Sequence, residues 1–206
     1  MRRWLAGILC GLLWPAALLA AASGSSELAV TIRSRLGRPE VVRGEFEQKK
    51  YIQALAKPLV SRGDFLVARE RGVLWRTRIP FAQTVRLTRA GIVLEQGGET
   101  SVRLSAEREP AVRAATGVLF ALWAGDFDRL REHFELSGQV EREGWSVVLR
   151  PIGAMPAQLF QSVRMEGGSH IRAVDLLERN GDRTEIRFSR VRTEEALTAD
   201  EEALLR

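Results

Sequence analysis

Hydrophobic and polar residues alternate along residues 55–79, and this alternation predicts two antiparallel strands joined by a short charged turn. Successive side chains of a strand point to opposite sides of the sheet, so each strand has one apolar face and one face rich in arginine. The turn at 69–72 ends at Gly72, where a tight connection favours a positive φ. The residues expected on the apolar face are Leu59, Ser61, Gly63, Phe65 and Val67 in the first strand and Val73, Trp75, Thr77 and Ile79 in the second.

Short runs rich in valine, leucine and isoleucine continue this pattern and predict about eleven antiparallel strands in all. Glycine-containing turns separate the runs, and Asn180-Gly181 is the strongest short hairpin signal among them. Because a sheet of this length curls, the predicted fold is mainly β (α+β), an incomplete, half-open antiparallel barrel. Besides the first pair, the runs lie at 41–53, 84–88, 91–95, 100–105, 135–142, 145–150, 163–166, 171–178 and 184–191.

Helical segments are predicted before, within and after the strands. Residues 27–36 place Leu28, Ile32 and Leu36 on one helical face. Residues 110–125 form an insertion that begins with proline, ends with glycine and is apolar on nearly all sides, and a short helix capped by Asp126 follows at 126–134. The insertion fits two interpretations equally well, a plug in the core of the sheet or a lid over a cavity. The tail at 193–206 is expected to hold a short, loosely docked helix.

The first 22 residues have the features of a secretory signal peptide. A basic start with Arg2 and Arg3 precedes a run of apolar residues that ends at Ala20-Ala21-Ala22. We expect cleavage near Ala22, and the alternative is an uncleaved anchor helix. Cys10, the only cysteine, follows Leu9 instead of the small residue that a lipidation signal needs, so the remaining chain, 23–206, is predicted to be one soluble periplasmic domain.

Composition and motifs argue against nucleic-acid binding and against catalysis. Removal of Arg2 and Arg3 lowers the net charge from +5 to +3, and the arginines are dispersed along the strands instead of clustered. The two histidines, His133 and His170, are far apart in the sequence, and Ser169 beside His170 lies in a predicted turn. No metal-ligand spacing or phosphate-binding loop is present, so we predict no catalytic residue, no metal and no cofactor.

Several short segments, in order and spacing, resemble the periplasmic outer-membrane lipoprotein carriers of the LolA type. These segments are Phe46-Glu47-Gln48-Lys49, Gly63-Asp64-Phe65, Arg69, Trp75, Pro80, Asn180-Gly181-Asp182-Arg183-Thr184 and Phe188. The resemblance implies an incomplete barrel with a helical lid over a hydrophobic cavity for acyl chains. It also implies an acylated lipoprotein or lipid as cargo, an inner-membrane export complex of the ABC type as donor and an outer-membrane lipoprotein receptor as acceptor. We expect a monomer that uses no cofactor and has no enzymatic activity.

Two departures from the family pattern bear on these expectations. Arg69 occupies the position of an arginine that holds the lid closed in the family, but Glu70 stands where the family commonly has proline. The segment 55–61 is similar to a divergent branch, which implies that the cargo could also be a glycolipid or a polyene linked to an exporter.

The cavity wall is predicted from strand alternation together with the apolar residues of the insertion. The same spacing fits an ordinary packed core, so an exported β-domain with a purely interaction role stays an alternative, and an esterase using Ser169 and His170 is a third. The predicted cavity residues are Phe65, Val73, Trp75, Leu87, Leu94, Leu104, Leu119, Leu122, Trp123, Phe134 and Phe188.

Overall fold

Eleven antiparallel strands form one open sheet, as predicted. The computed structural model describes residues 16–37, 39–109, 112–113, 116–118, 120–121, 125–194 and 196–205. The strands are β1 (Val41–Tyr51), β2 (Leu59–Ala68), β3 (Gly72–Ile79), β4 (Gln83–Thr88), β5 (Gly91–Gln96), β6 (Glu99–Ser105), β7 (Phe134–Val140), β8 (Trp145–Pro151), β9 (Phe160–Gly167), β10 (Ile171–Glu178) and β11 (Arg183–Glu194). Their order is β6-β5-β4-β3-β2-β1-β11-β10-β9-β8-β7, so β6 and β7 are the two edges.

The register separates an apolar face of the sheet from a charged one. Directly opposed residues of an antiparallel pair lie on the same face. Phe46 is opposite both Gly63 and Phe188, and Phe65 is opposite Trp75. Followed across all strands, this pairing puts every described member of the predicted cavity wall on the apolar face: Phe65, Val73, Trp75, Leu87, Leu94, Leu104, Phe134 and Phe188.

Two details of the β2–β3 hairpin differ from the prediction. A bulge between Arg62 and Gly63 places Ile79 opposite Arg62, so Ile79 lies on the charged face. The turn residue with positive φ is Glu70 (59°) instead of Gly72. Gly72 is needed for space, because a Cβ there would lie 2.5 Å from the Leu87 carbonyl oxygen.

Helices cover the apolar face over one half of the sheet. Helix α1 (Ala16–Arg35) is longer than the predicted 27–36, and its buried residues Ala29 and Ile32 pack with β7–β9. Helix α2 (Phe127–Leu130) begins after its N-cap Asp126, as predicted, but ends early because Phe134 already starts β7. Described residues of the insertion, 112–113, 116–118 and 120–121, are helical.

The hydrophobic core under these helices joins α1, the insertion and strands β7–β9. Its buried residues include Val118 and Ala121 from the insertion, which shows that the described part of this segment packs into the core. In the part of the chain that the structure describes, no helix is both long and apolar enough to cross a membrane.

Two short helices complete the fold. Helix α3 (Ala154–Leu159) was not among the predicted helices, and Pro156 is tolerated there because it falls in the first helical turn. Helix α4 (Ala199–Leu204) confirms the helical tail and begins with a capping box between Thr198 and Glu201. Leu205, just after α4, packs on the charged face against a small apolar cluster of Val41, Leu66, Ala68 and Leu74.

Candidate functional site

Four aromatic rings meet at the centre of the apolar face. Phe46 and Trp75 are stacked, with ring centroids 3.7 Å apart and an interplanar angle of 24°. Phe65 and Phe188 form an edge contact at 5.0 Å, and Trp75 meets Phe188 edge-on at 6.2 Å. We call Phe46, Phe65, Trp75 and Phe188 the aromatic cluster. Such ring pairs each contribute about 0.5–1.5 kcal/mol beyond the burial of their area. The contacts within the aromatic cluster therefore stabilise the middle of the sheet.

Glycines make room for these rings on β1 and β2. Phe46 is opposite Gly63 and Phe65 is opposite Gly44, so each ring faces a position without a side chain. A Cβ on Gly44 would lie 2.7 Å from the Phe65 ring, and one on Gly63 would lie 1.8 Å from the Arg76 carbonyl oxygen. The close approach of the Phe65 ring therefore depends on glycine at 44, and the close approach of the β3 backbone depends on glycine at 63.

Beyond the aromatic cluster, β4–β6 present apolar side chains that are only partly covered. The register continues from Trp75 through Val85 and Leu94 to Val102. We call the apolar-face residues of these strands the open wing, defined as Val85, Ile92, Leu94, Val102 and Leu104. Val102 is 41% exposed, and the other four are half-buried. The open wing and the aromatic cluster together form one apolar surface that can bind an apolar ligand by burial.

The predicted cavity residues fall into four groups. Phe65, Val73 and Leu87 are buried, whereas Trp75, Leu94, Leu104 and Phe188 are half-buried at the aromatic cluster and the open wing. Phe134 is fully buried in the core beneath α1. Leu119, Leu122 and Trp123 lie outside the described residues.

Sequence reasoning left several members of this surface out. They are Phe46, Val85, Ile92 and Val102. The signal was present for Phe46, Val85 and Val102, because each alternates with charged or polar neighbours, whereas Ile92 stands between Gly91 and Val93.

Arg69 lies at the end of the sheet where α1 connects to β1. Its guanidinium group donates to the Pro39 carbonyl oxygen at 3.2 Å and lies 3.6 Å from the Glu40 carboxylate. Its backbone N–H donates to the Glu40 carbonyl oxygen at 2.8 Å. Arg69 therefore ties the β2–β3 turn to the segment that links α1 to the sheet.

The charged face carries two open cavities lined by ion pairs. One, of about 440 Å³, is lined by residues that include Glu45, Glu47 and Arg62, and the other, of about 200 Å³, is lined by residues that include Asp64 and Arg76. Salt bridges join Arg62 to Glu47 at 2.7 Å and Arg76 to Asp64 at 3.3 Å. Hydrogen bonds from Arg62 and Lys49 lower the pKa of Glu47.

A charged pair on this face holds α4 to β1. Arg43 Nε donates to Glu201 at 3.1 Å, and the same guanidinium group also pairs with Glu194. The hydrogen bond from Arg43 is the main cause that lowers the pKa of Glu201 to about 2, and the bond from Glu201 raises the pKa of Arg43. The C-terminal helix is thus fixed to the sheet by a charge pair as well as by Leu205.

Ser169 and His170 do not form the arrangement of a serine hydrolase. Their Oγ and Nδ1 atoms are 3.4 Å apart within an exposed turn, and the two residues are adjacent in the chain. Among the residues that the structure describes, no three potential metal ligands cluster.

A protein family defined by sequence matches residues 20–206, and its description is "Outer membrane lipoprotein carrier protein LolA-like". An open antiparallel sheet with an apolar face partly covered by helices agrees with that match. The chain belongs to this LolA-like family of carrier proteins. No curated protein sequence matches it significantly.

Solved structures resemble this chain at low sequence identity, and two of them share its fold. A DUF1329 family protein from Desulfovibrio piger has a TM-score of 0.51 and 12% identity, covering 89% of this chain and 98% of that chain. The MucA/MucB complex of Pseudomonas aeruginosa has a TM-score of 0.50 and 14% identity, covering 91% of this chain and 62% of that chain. A LolA superfamily protein from Nitrosomonas europaea has a TM-score of 0.48 and 9% identity, covering 86% of this chain and 98% of that chain.

Proposed function

We propose that this protein is a periplasmic carrier that shields the acyl chains of lipoproteins or related lipids and moves them from the inner to the outer membrane. The observation that supports this most directly is the open wing, which is apolar, partly exposed and continuous with the aromatic cluster. An acyl chain lying along Trp75, Leu94 and Val102 would cover this surface. Membership of the LolA-like family supports the same function.

The energetics of lipid transfer fit a surface that binds by burial alone. Removing an acyl chain from water is worth about 0.8 kcal/mol per CH₂ group, or on the order of 12 kcal/mol for a sixteen-carbon chain. No single hydrogen bond reaches that magnitude. A partly open surface recovers only a share of this energy, which lets the carrier protect its cargo and still release it.

Both halves of the apolar face have a role in this proposal. The half beneath α1 is packed and provides a rigid wall, with Phe134 in its core. The half formed by the aromatic cluster and the open wing receives the cargo. In the proposed transport route, the chain is exported after cleavage near Ala22, acts as a monomer, is loaded by an inner-membrane export complex and delivers to an outer-membrane receptor.

We propose Arg69 as a latch that acts through the segment linking α1 to β1. Its bonds to Pro39 and Glu40 hold this segment against the β2–β3 turn. Loosening this connection would let α1 and the wall beneath it move relative to the half of the apolar face that receives the cargo. Arg69→Leu should therefore alter the rate of cargo transfer to acceptor vesicles, whereas Arg71→Leu in the same turn should leave it unchanged.

Mass spectrometry of ligand extracted from protein recovered from the periplasm tests the carrier function and identifies the cargo. We expect acyl lipid or lipoprotein with the wild type and with Val30→Glu, a charge placed on an exposed site of α1. Much less should be recovered with Val102→Glu, at the open wing. A polyene or glycolipid would keep the carrier function and change the cargo class. Recovery of no lipid-like ligand, together with no binding of an apolar fluorescent probe, would overturn the proposal.

A further inference from the structure

Exposed apolar side chains gather at one end of the sheet. Six of the eight large hydrophobic residues that are exposed in the described part of the chain lie in the β1–β2, β3–β4 and β8–β9 connections or at the strand ends beside them. Phe81, in the β3–β4 loop, is 72% exposed. We call this group the apolar rim, and its members are Leu55, Leu59, Ile79, Phe81, Ile152 and Leu159.

The register shows that these connections share one end of the sheet. Lys50 at the end of β1 pairs with Leu59 at the start of β2, and Ile79 pairs with Arg62 nearby. The β10–β11 hairpin lies at the same end, because Tyr51 pairs with Arg183. The β8–β9 connection joins it there, since the Arg179 N–H donates to the Leu159 carbonyl oxygen at 3.0 Å.

The connections of the apolar rim differ in charge from three turns at the opposite end of the sheet, although the β10–β11 hairpin beside the rim carries Arg179 and Asp182. The connections of the apolar rim, residues 52–58, 80–82 and 152–159, contain a single charged residue, Lys57. The turns at the opposite end, residues 69–72, 89–90 and 141–144, read Arg-Glu-Arg-Gly, Arg-Ala and Glu-Arg-Glu-Gly. Among the described connections between strands, exposed large apolar side chains therefore lie at one end of the sheet.

The basic residues beside the apolar rim include lysines, whereas the other basic residues of this chain are arginines. Its three lysines, Lys49, Lys50 and Lys57, all lie here. Lys49 pairs with Glu47 at 3.2 Å and Lys50 with Glu178 at 3.0 Å, whereas Lys57 is exposed in the loop beside Leu55. A lysine can bury its aliphatic stem at a membrane interface while its ammonium group reaches lipid phosphates.

The spacing of the exposed side chains of the apolar rim indicates whether they contact a groove-filling ligand or a flat surface. The β3–β4 loop and the start of β9 are five strand intervals apart in the sheet order. At about 4.8 Å per interval this is roughly 24 Å along the sheet, with polar residues between the tips. A single acyl chain or peptide would fill one continuous groove, whereas a row of separate tips at one level fits a plane.

We propose that the apolar rim inserts into the interfacial region of a phospholipid bilayer that contains anionic lipids. Leu55, Phe81 and Leu159 enter the boundary between headgroups and acyl chains, and Lys57 contacts the phosphates. The interaction is weak and reversible, because a few partly inserted side chains supply far less apolar area than a lipid anchor. This contact with the bilayer is separate from cargo binding, since the apolar rim and the open wing share no residue.

Site-specific fluorescence tests this proposal in exported protein recovered from the periplasm, with Cys10 replaced by serine in the precursor. The label NBD is attached to a cysteine introduced as Phe81→Cys, or as Arg71→Cys at the opposite end as the matched control. The probe is a vesicle of equal parts phosphatidylcholine and phosphatidylglycerol. We expect a blue shift and gain of NBD emission at position 81 and not at 71, and a smaller change with vesicles of phosphatidylcholine alone.

Flotation of the vesicles separates docking from lipid extraction. Unlabelled protein should float with the vesicles, and Leu55→Glu should lower its partition coefficient about tenfold, as expected when a partly inserted leucine is replaced by a charge. Val30→Glu, on α1, should leave it unchanged. Equal NBD changes at positions 71 and 81 would overturn the proposal. So would equal partitioning of Leu55→Glu and the wild type, or protein that extracts lipid into solution and does not float with the vesicles. Because Phe81→Cys itself removes an apolar tip, Leu159→Cys provides a second labelling site.

Discussion

Phe46 and Trp75 stack at 3.7 Å across the glycine of the intervening strand. Phe46 on β1 is directly opposite Gly63 on β2, and Gly63 is in turn opposite Thr77, two residues from Trp75 on β3. A Cβ at Gly63 would collide with the Arg76 carbonyl oxygen of β3. The bulge beside Gly63 brings the β3 backbone close at the same point. The close approach of β2 and β3 beside the aromatic cluster therefore requires glycine at position 63.

Replacing Gly63 with alanine should destabilise the protein by about 2 kcal/mol or more. The added Cβ would lie 1.8 Å from the Arg76 carbonyl oxygen and 2.9 Å from the Thr77 Cα, and backbone atoms cannot yield as a flexible side chain does. Urea denaturation followed by circular dichroism measures the change. Gly168→Ala is the matched control, because the nearest atom to its added Cβ is 3.6 Å away. Equal stability of the two variants would show that the close backbone approach at Gly63 is not present in solution.

Substituting one leucine on each half of the apolar face should show different effects on the stability of the protein and on ligand binding. Leu149 is fully buried in the core with α1, so Leu149→Ala should cost about 2–5 kcal/mol in the free energy of unfolding and change probe affinity little. Leu94 is half-buried on the open wing, so Leu94→Ala should cost about 1 kcal/mol or less and weaken binding of an apolar fluorescent probe several-fold. Denaturation and probe titration of both variants give the comparison. Similar effects on stability and binding at both positions would mean that the open wing is ordinary core.

The pattern of the sequence was sufficient for the strands and for their faces, because alternation at a period of two is a local signal. It predicted that Phe65, Trp75 and Leu94 share a face, and the register confirms this. It failed at Ile79, because one extra residue in a bulge reverses every later side chain of the strand and leaves no mark in the alternation.

Packing between segments that are distant in the sequence could not be predicted from local sequence patterns. The sequence could not show that Phe134 lies beneath α1 while Leu94 stays partly open, since both alternate in the same way and differ only in what packs above them. The short helix α3 was not predicted, although Pro156 is compatible with the first turn of a helix. Arg69 was identified by resemblance alone, and its contacts with Pro39 and Glu40 join segments about thirty residues apart.

The pairing of Arg43 with Glu201 should make the stability of the protein depend on pH at the acid end. The pKa of Glu201 is lowered from 4.5 to about 2, so its ionised form is the one that the folded state stabilises. This contribution is fully present above pH 4.5, where the carboxyl group is ionised in the unfolded chain too, and it is lost as the pH falls from 4.5 toward 2.

Glu201→Gln should therefore lower the free energy of unfolding by about 1–2 kcal/mol at pH 7, because the variant loses a charge-assisted hydrogen bond to Arg43. The difference from the wild type should shrink as the wild-type carboxyl group protonates. Urea denaturation at a series of pH values between 7 and 2 measures this difference directly, and comparing each variant with the wild type cancels the titration of the other acids. Glu202→Gln, in the same helix and outside the pair with Arg43, is the control and should follow the wild type throughout. A gap between Glu201→Gln and the wild type that stayed constant down to pH 2 would show that the charge of Glu201 does not hold α4 against β1.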